Sequence, residues 1–255
     1  MISHGVRLGL RASRPGVLGA LRERLPPGAR TARSTVVDRL YSYVAAGRDP
    51  DARVRRMHLL YIDAVRVARD RAIAPALEQL ETDARHTVAA LAPRRVFVHA
   101  GVVAWQGRAI VIPGASFTGK TTLVAELVRR GATYYSDEYA VLDARGRVHP
   151  FAKPLSVRGE GERTPGDLGG RAGARPLPVA AIVIAPFRAG ARWRARERPR
   201  GEGALALLSQ AVQARLDPAR TLAAVRAAAA DAVVLKGARG DAGEMAGALL
   251  ARAAA

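Results

Sequence analysis

Hydrophobic and polar positions divide the chain near residue 95. Before that point, from Val54 to Leu91, the apolar positions suit helices, and Pro75 marks a kink or a boundary. Val6 to Leu10 has strand character, and "VVDRLYSYVAAG" has a mixed apolar pattern. The pattern predicts that residues 1–94 form a mostly helical N-terminal section.

After residue 95 the period changes. Two β-branched runs flank "WQGR", which is typical of a β-hairpin, and "AIVIP" reads as a strand that leads into a glycine-bounded loop. The following "TTLVAELVRR" has apolar residues at helical spacing, with Gly131 placed to end the helix. The alternation of strands and helices predicts an α/β (α+β) domain over residues 95–255.

Further elements are predicted along the rest of this domain. "YAVLDARGRVHPF" reads as a second hairpin and "KPLSVRG" as a short strand, whereas the glycine-rich residues 159–178 should form a mobile loop. "VAAIVIAPF" is typical of a buried strand, and "ARWRARERP" alternates like an exposed edge strand. Asp217 and Pro218 form a helix start. The predicted C-terminal elements are helices at 203–215 and 218–229, a strand at 231–236 and a helix from 241.

Composition excludes several classes of protein. The 255 residues include no cysteine, which rules out disulfides and thiolate metal sites, and 49% are apolar, enough for a substantial core. No apolar run approaches the roughly 20 residues of a membrane span, and the first residues lack the apolar core of a secretory signal. We therefore expect a cytoplasmic protein with no membrane partner.

The formal net charge of +19 raises the question of nucleic-acid binding. Of the 41 basic residues, only Lys120, Lys153 and Lys236 are lysine, and the arginines are scattered among alanine, glycine and proline along the whole chain. This distribution indicates a general compositional bias. Because no helix-turn-helix signal, zinc spacing or aromatic–basic alternation accompanies it, we do not expect nucleic acid to be the main partner.

Residues 114–121 match the phosphate-loop pattern of Gly, four residues, then Gly-Lys-Ser/Thr. The predicted strand before the loop and the helix after it supply the required context; a helix-capping turn that only resembles the motif is the alternative. Backbone N–H groups and the helix N-terminus would hold polyphosphate, the lysine would reach the β- and γ-phosphates, and the threonine would face Mg²⁺. The expected nucleotide-binding residues are Gly114, Ala115, Ser116, Phe117, Thr118, Gly119, Lys120, Thr121 and Thr122.

Two adjacent acids, Asp137 and Glu138, follow Lys120 by 17 and 18 positions, at the end of the next predicted strand. Successive side chains of a strand point to opposite faces, so both acids reach one site only if the strand ends there. A carboxylate beside Mg²⁺ and the γ-phosphate can bind metal, orient a nucleophile or take its proton. A solvated acidic turn is the alternative.

Three further residues are candidates on weaker grounds. His99 lies 21 positions before Lys120 on a predicted strand, where a lone histidine among apolar residues is usually structural. Lys153 and Arg158 could neutralise phosphate or contact the acceptor, although charged residues at a strand end are equally common on ordinary surfaces.

Taken together, these residues resemble a known family. The block from His99 to Gly161 is similar to the catalytic domain of HPr kinase/phosphorylase and to the broader group of HPr-kinase-related serine kinases. The family's hallmarks are a "VHG"-like strand, a phosphate loop, "ELV-x-RG" and an acidic pair. In this chain they are Val98-His99-Ala100-Gly101, Gly114 to Thr121, Glu126 to Gly131 and Asp137-Glu138.

The resemblance implies a mixed-sheet kinase fold related to phosphoenolpyruvate carboxykinase, with ATP and Mg²⁺ as cofactors. By position, Asp137 would be the acid/base that activates the attacking hydroxyl, and His99 would approach the transferred phosphate. Lys120 would act in catalysis, and Thr121 and Glu138 would hold the metal. Family members of the HPr type assemble into hexamers, which leaves a homo-oligomer open here.

The chain also departs from the family's pattern. Its signature "E-I-R-G-x-G" appears as residues 156–161, with Ser156 replacing an acid that helps to hold metal, and the second acid of the pair is Glu138 where aspartate is usual. The first 95 residues do not resemble the family's regulatory domain. As a whole, the chain resembles the shorter related kinases found near peptide-modification genes, including those that phosphorylate lasso-peptide precursors.

Three functions are consistent with these observations. The first is an ATP-dependent kinase that phosphorylates a hydroxyl, with serine or threonine of a small protein or peptide as the expected acceptor and small-molecule hydroxyls left open. The second is a nucleotide-binding regulator without productive transfer, for which Ser156 is the supporting feature. The third is nucleic-acid binding through arginine, which would not need Lys120.

Overall fold

The computed structural model describes residues 1–47, 57–115, 119–157 and 159–254. They form two compact units, Met1–Pro93 and Arg94–Ala255, each with its own sheet. In the described part of the chain, no helix combines the length and the apolar character needed to cross a bilayer.

The first unit contains one five-stranded sheet in the order β1-β2-β3-β4-β5. Strands β2 and β3 pair in parallel, and the other neighbours pair antiparallel. A 3₁₀ turn at Pro15–Val17 precedes the first helix. The strands are β1 (Ile2–Ser3), β2 (Val6–Ala12), β3 (Arg39–Val44), β4 (His58–Ile62) and β5 (Val65–Asp70), and the helices are α1 (Leu18–Glu23) and α2 (Ala74–Leu91).

The prediction of a mostly helical N-terminal section is therefore wrong. The helical pattern was predicted to begin at Val54, which lies outside the described residues. The apolar residues that follow Val54 form β4, where Leu60 and Ile62 are buried. Asp63 adopts φ 52° and turns the chain into β5. Short apolar runs suit a helix or a strand equally by period, and here pairing with β3 decides for the strand. Among the described residues of this unit, α2 is the only long helix.

The second unit contains ten strands and four helices in its described residues. A further 3₁₀ turn spans Gly166–Leu168. The strands are β6 (Val96–Trp105), β7 (Arg108–Pro113), β8 (Thr133–Ser136), β9 (Tyr139–Leu142), β10 (Val148–His149), β11 (Leu155–Val157), β12 (Gly161–Arg163), β13 (Val179–Ile184), β14 (Arg196–Arg198) and β15 (Val233–Lys236), and the helices are α3 (Lys120–Arg129), α4 (Arg200–Leu208), α5 (Pro218–Ala229) and α6 (Ala242–Ala254).

Eight of these strands form one mixed sheet. Its order is β10-β9-β6-β7-β13-β15-β14, with β8 also pairing with β6. Strand β13 is parallel to both β7 and β15, whereas the β6–β7 and β6–β9 pairs are antiparallel. Strands β11 and β12 form a separate two-stranded sheet. The result is the mixed α/β architecture that the sequence predicts.

Helices cover both faces of this sheet because residues on its central strands alternate between two cores. On one face, Ile110 and Ile112 of β7 are buried with residues of α3 and α6. On the other face, Val111 is buried with Leu207 of α4 and Val225 of α5. Burial on both sides accounts for the continuous apolar run "AIVI".

Most predicted elements of this unit are confirmed. They include the β6–β7 and β9–β10 hairpins and the edge strand β14, as well as α5, where Asp217 caps the helix by accepting from the Arg220 N–H at 3.1 Å. Two predictions need correction. The helix expected at 203–215 starts at Arg200 and ends at Leu208, and the loop expected at 159–178 contains β12 and the 3₁₀ turn, because pairing with β11 orders part of it.

Candidate functional site

The predicted phosphate loop lies between the end of β7 at Pro113 and the start of α3 at Lys120. Gly119, immediately before the helix, has φ 77°, a conformation that glycine adopts without strain. Of the other residues expected in the loop, Ser116, Phe117 and Thr118 lie outside the described residues. The strand and the helix predicted on either side of the loop are confirmed.

Lys120 is enclosed at the start of α3, with 8% of its surface exposed. Its ammonium donates a hydrogen bond to the carbonyl of Ala115, so the side chain folds back toward the end of β7. Burial lowers the pKa of Lys120; the negative charge of Asp137 raises it, and the positive charge of Arg239 lowers it further. The lysine thus lies within electrostatic reach of both a carboxylate and a second cation.

Asp137 follows the end of β8 at Ser136 and reaches the first turn of α3. Thr121 donates its hydroxyl to Asp137 Oδ2 at 3.2 Å, and the Tyr134 hydroxyl lies 3.1 Å from Asp137 Oδ1. Only 8% of Asp137 is exposed, and burial raises the pKa of Tyr134, so the phenol stays a neutral donor. Two hydroxyl groups therefore orient one carboxylate beside the helix N-terminus.

Glu138 and Lys153 complete the acidic side of the site. The Lys153 ammonium lies 3.5 Å from Asp137 Oδ1 and 3.7 Å from Glu138 Oε2, between the two carboxylates. The Tyr134 hydroxyl also lies 2.9 Å from the Lys153 carbonyl, so its single proton is shared between that carbonyl and Asp137 Oδ1. The structure thus brings Lys153 to the acid pair. Arg158 lies outside the described residues, and Ser156 is exposed on β11 opposite Glu162.

His99 lies on β6 where three segments meet. Its carbonyl accepts from the Gly114 N–H at 3.2 Å, and the next N–H, that of Ala100, donates to the Glu138 carbonyl at 3.1 Å. The imidazole packs against Tyr139, its partner on β9, with ring centroids 4.8 Å apart. Backbone hydrogen bonds therefore join His99 to the start of the loop and to the acid pair.

The residues present fit a magnesium ion. The Thr121 hydroxyl and the Asp137 and Glu138 carboxylates offer oxygen ligands, which Mg²⁺ prefers, and the Lys153 ammonium lies between the two acids. No group of three or more His, Asp or Glu side chains able to hold a metal occurs within the described ranges. Mg²⁺ is usually bound by one or two carboxylates together with substrate phosphates.

Sequence reasoning missed Arg239, which contacts Gly119 just before α3. Arg239 is 3% exposed, and burial lowers the pKa of its guanidinium. A Cβ atom on Gly119 would lie 2.5 Å from Arg239 Nη2, so the guanidinium contacts the backbone just before α3. The available signal was the glycine-flanked "GARG" after β15, because the carboxyl ends of parallel strands meet at the edge of the sheet where ligands bind.

Tyr134 was missed as well. It lies three residues before Asp137 on a predicted strand and carries no signal beyond its apolar neighbours. The hydrogen bond between the Tyr134 hydroxyl and the Asp137 carboxylate depends on β8 ending at Ser136, because Asp137 is then no longer part of the strand.

Comparison with known proteins adds little to this geometry. No protein-family model matches the chain, and no curated protein matches it. Among solved structures, the Hpr(Ser) kinase/phosphatase from Coxiella burnetii is similar over 61% of this chain and 93% of its own, with 13% identity and a TM-score of 0.34. Those values are too low to assign a family or an activity, so the function is argued from the site itself.

Proposed function

We propose that the chain is an ATP- and Mg²⁺-dependent kinase that transfers the γ-phosphoryl group to a hydroxyl, with serine or threonine of a small protein or peptide as the acceptor. The supporting observation is the 3.2 Å contact between the Thr121 hydroxyl and the Asp137 carboxylate. It joins the helix that follows the phosphate-loop sequence to an oriented acid, the two parts that phosphoryl transfer requires.

Each site residue then has a distinct role. The loop N–H groups and the N-terminus of α3 bind the phosphates, and Lys120 places a positive charge at the β- and γ-phosphates. Asp137 takes the proton of the attacking hydroxyl as the new oxygen–phosphorus bond forms and the bond to the β-phosphate oxygen breaks, releasing ADP. His99 lies at the junction of the loop and the acids and would approach the transferred group.

Thr121 and Glu138 would hold Mg²⁺, which would neutralise charge on the β- and γ-phosphates. Lys153 lies against both acids and would contact the phosphate or the acceptor from that side. Tyr134 keeps Asp137 oriented toward α3.

The second candidate is a nucleotide-binding regulator that does not transfer phosphate. It is favoured by the Lys153 ammonium, which lies between Asp137 and Glu138 where a metal would bind, and by the exposed Ser156 in place of a further acid. In this candidate, the lysine would compete with Mg²⁺ for the acid pair.

Transfer of radiolabelled γ-phosphate from ATP into candidate peptides and cell lysate would separate the two candidates. We expect Lys120→Ala to abolish ATP binding, because a buried charge facing the phosphates is lost. Asp137→Asn should keep ATP binding within a few-fold and slow transfer by about 10²- to 10⁴-fold, the usual contribution of a general base. Asp231→Asn, a change of the same kind at an exposed position between α5 and β15, is the matched control.

Normal transfer by Lys120→Ala would overturn the phosphate-loop assignment. Equal loss of binding and transfer in Asp137→Asn would reassign Asp137 to metal binding. Tight ATP binding by the wild-type protein with no transfer to any acceptor would favour the regulator, and Lys153→Ala would then test whether the lysine blocks the metal.

A further inference from the structure

We infer that the exposed ring of Phe187 is the stacking surface for the base of the bound nucleotide. This inference rests on the proposed nucleotide site and extends it, because none of the roles proposed above involves the base of the nucleotide. Phe187 is 60% exposed, high for a phenylalanine, and it lies three residues beyond the end of β13.

The sheet register places Phe187 beside the phosphate loop. Ile182 of β13 is level with Val111 of β7, and continuing this register puts Ile184 level with Pro113, where the loop begins. Phe187 then forms a parallel bridge with Arg239, the same register in which Ile184 pairs with Lys236. The ring therefore projects from the edge of the sheet at which β7, β13 and β15 all end.

Arg239 connects the ring to the loop. Its guanidinium carbon lies 5.5 Å from the centroid of the Phe187 ring, and its Nη2 approaches Gly119 at the start of α3. Backbone hydrogen bonds from Arg239 N–H to the Pro186 carbonyl (3.0 Å) and from Arg188 N–H to the Arg239 carbonyl (2.8 Å) hold this pair in place. The Phe187 ring, the Arg239 guanidinium and Gly119 thus form a continuous row.

The acid pair fixes the direction of the nucleotide along this row. Strand β7 lies between β6 and β13 in the sheet. Strand β6 bears His99 and pairs with β9, the strand that directly follows the acid pair in the chain. If the γ-phosphate faces Asp137, the base extends toward β13. An aromatic ring there, with one face against a guanidinium and much of its surface exposed, suits any purine base, because stacking does not depend on hydrogen-bonding edges.

The test compares ligands with and without a base. Dissociation constants for ATP and for inorganic tripolyphosphate, both with Mg²⁺, would be measured for the wild-type protein, Phe187→Ala and Phe187→Trp. We expect Phe187→Ala to weaken ATP about tenfold, a typical effect of losing one stacked aromatic, and to leave tripolyphosphate unchanged. Phe187→Trp should bind ATP about as tightly as the wild-type protein does, and the base should quench the fluorescence of the introduced indole.

Leu205→Ala removes a comparably exposed side chain, 66% exposed on α4, and is the matched control, with melting temperatures compared for all variants. Unchanged ATP affinity in Phe187→Ala, or equal weakening of ATP and tripolyphosphate, would overturn the inference. Binding of neither ligand by the wild-type protein would overturn it together with the nucleotide site.

The kinase proposal can fail separately from this inference. Phe187-dependent ATP binding without phosphoryl transfer to any acceptor would contradict the kinase alone. Phosphoryl transfer together with an ATP affinity that does not change in Phe187→Ala would contradict the stacking surface alone.

Discussion

At the scale of single residues, Asp143 closes the hairpin between β9 and β10. Its Oδ1 accepts from the Arg145 and Arg147 N–H groups at 2.9 and 3.0 Å, and its Oδ2 lies 3.0 Å from both Arg147 Nε and His149 Nε2. Burial acts to raise the pKa of this carboxyl group, but the hydrogen bonds from His149, Arg147 and Arg145 outweigh it and lower the pKa to about 2. The turn therefore depends on an ionised carboxylate.

We expect Asp143→Asn to lower the free energy of unfolding by about 2 kcal/mol at neutral pH, the equivalent of a shift of nearly two pKa units. Because the folded-state pKa lies below the unfolded one, this stabilisation is complete above about pH 4 and is lost as the pH falls toward 2. Urea unfolding of both proteins at pH 7 and pH 2.5 would test it.

Asp231→Asn serves again as the control, since Asp231 is exposed. A wild-type advantage over Asp143→Asn that persists unchanged at pH 2.5 would contradict the electrostatic explanation.

Burial also lowers the pKa of His149, against the opposing effect of Asp143, so the imidazole is a neutral donor at pH 7.

At the scale of elements, Gly101 sets the distance between β6 and α3. A Cβ atom at this position would lie 2.6 Å from Val124 Cγ2 and 3.7 Å from the Lys120 Cβ. The helix that carries Lys120 and Thr121 therefore packs directly on the backbone of the strand that carries His99. The geometry of the candidate site depends on this close approach.

Gly101→Ala should therefore destabilise the protein by about 1–3 kcal/mol, the usual cost of overpacking a core, and weaken ATP binding because α3 must move. Thermal unfolding and ATP titration would measure the two effects. Gly201→Ala, where no atom lies within 4 Å of the added Cβ, is the matched control.

The double variant Gly101→Ala with Val124→Ala tests the cause of that effect. It removes the methyl group that the new Cβ meets, so ATP binding should recover relative to Gly101→Ala alone. Persistent loss in the double variant would mean that the clash with Val124 is not the cause.

At the scale of the whole molecule, the candidate site and its support lie in one unit. Among the described residues, the members of both hydrophobic clusters that cover the eight-stranded sheet lie between Val96 and Leu250. The core that positions α3, β8 and β15 is therefore complete within Arg94–Ala255.

We expect residues 94–255, produced alone, to unfold cooperatively and to bind ATP with an affinity close to that of the full chain. The physical reason is that a segment with its own closed core needs no further residues to fold. Calorimetry and ATP titration of the segment would test this expectation. A segment that lacks a cooperative transition would show that residues 1–93 contribute contacts essential to the fold.

The sequence by itself determined those features that depend on neighbouring residues. The β6–β7 hairpin, the strand before the loop, the start of α3 and the Asp217 cap follow from side-chain period and turn chemistry within a few positions. The phosphate-loop pattern and the acid pair were predicted in the same way, because their spacing is local.

Only the tertiary structure decided which distant segments meet. The first unit is a sheet because β4 pairs with β3 and β5, although its apolar residues also suited a helix. The Lys153 ammonium lies near Asp137, and the Tyr134 hydroxyl contacts Asp137 because β8 ends at Ser136. Arg239 contacts Gly119 although the two residues are more than a hundred positions apart in the sequence. Strand pairing and burial depend on the whole chain, whereas period and turn chemistry depend on a few residues.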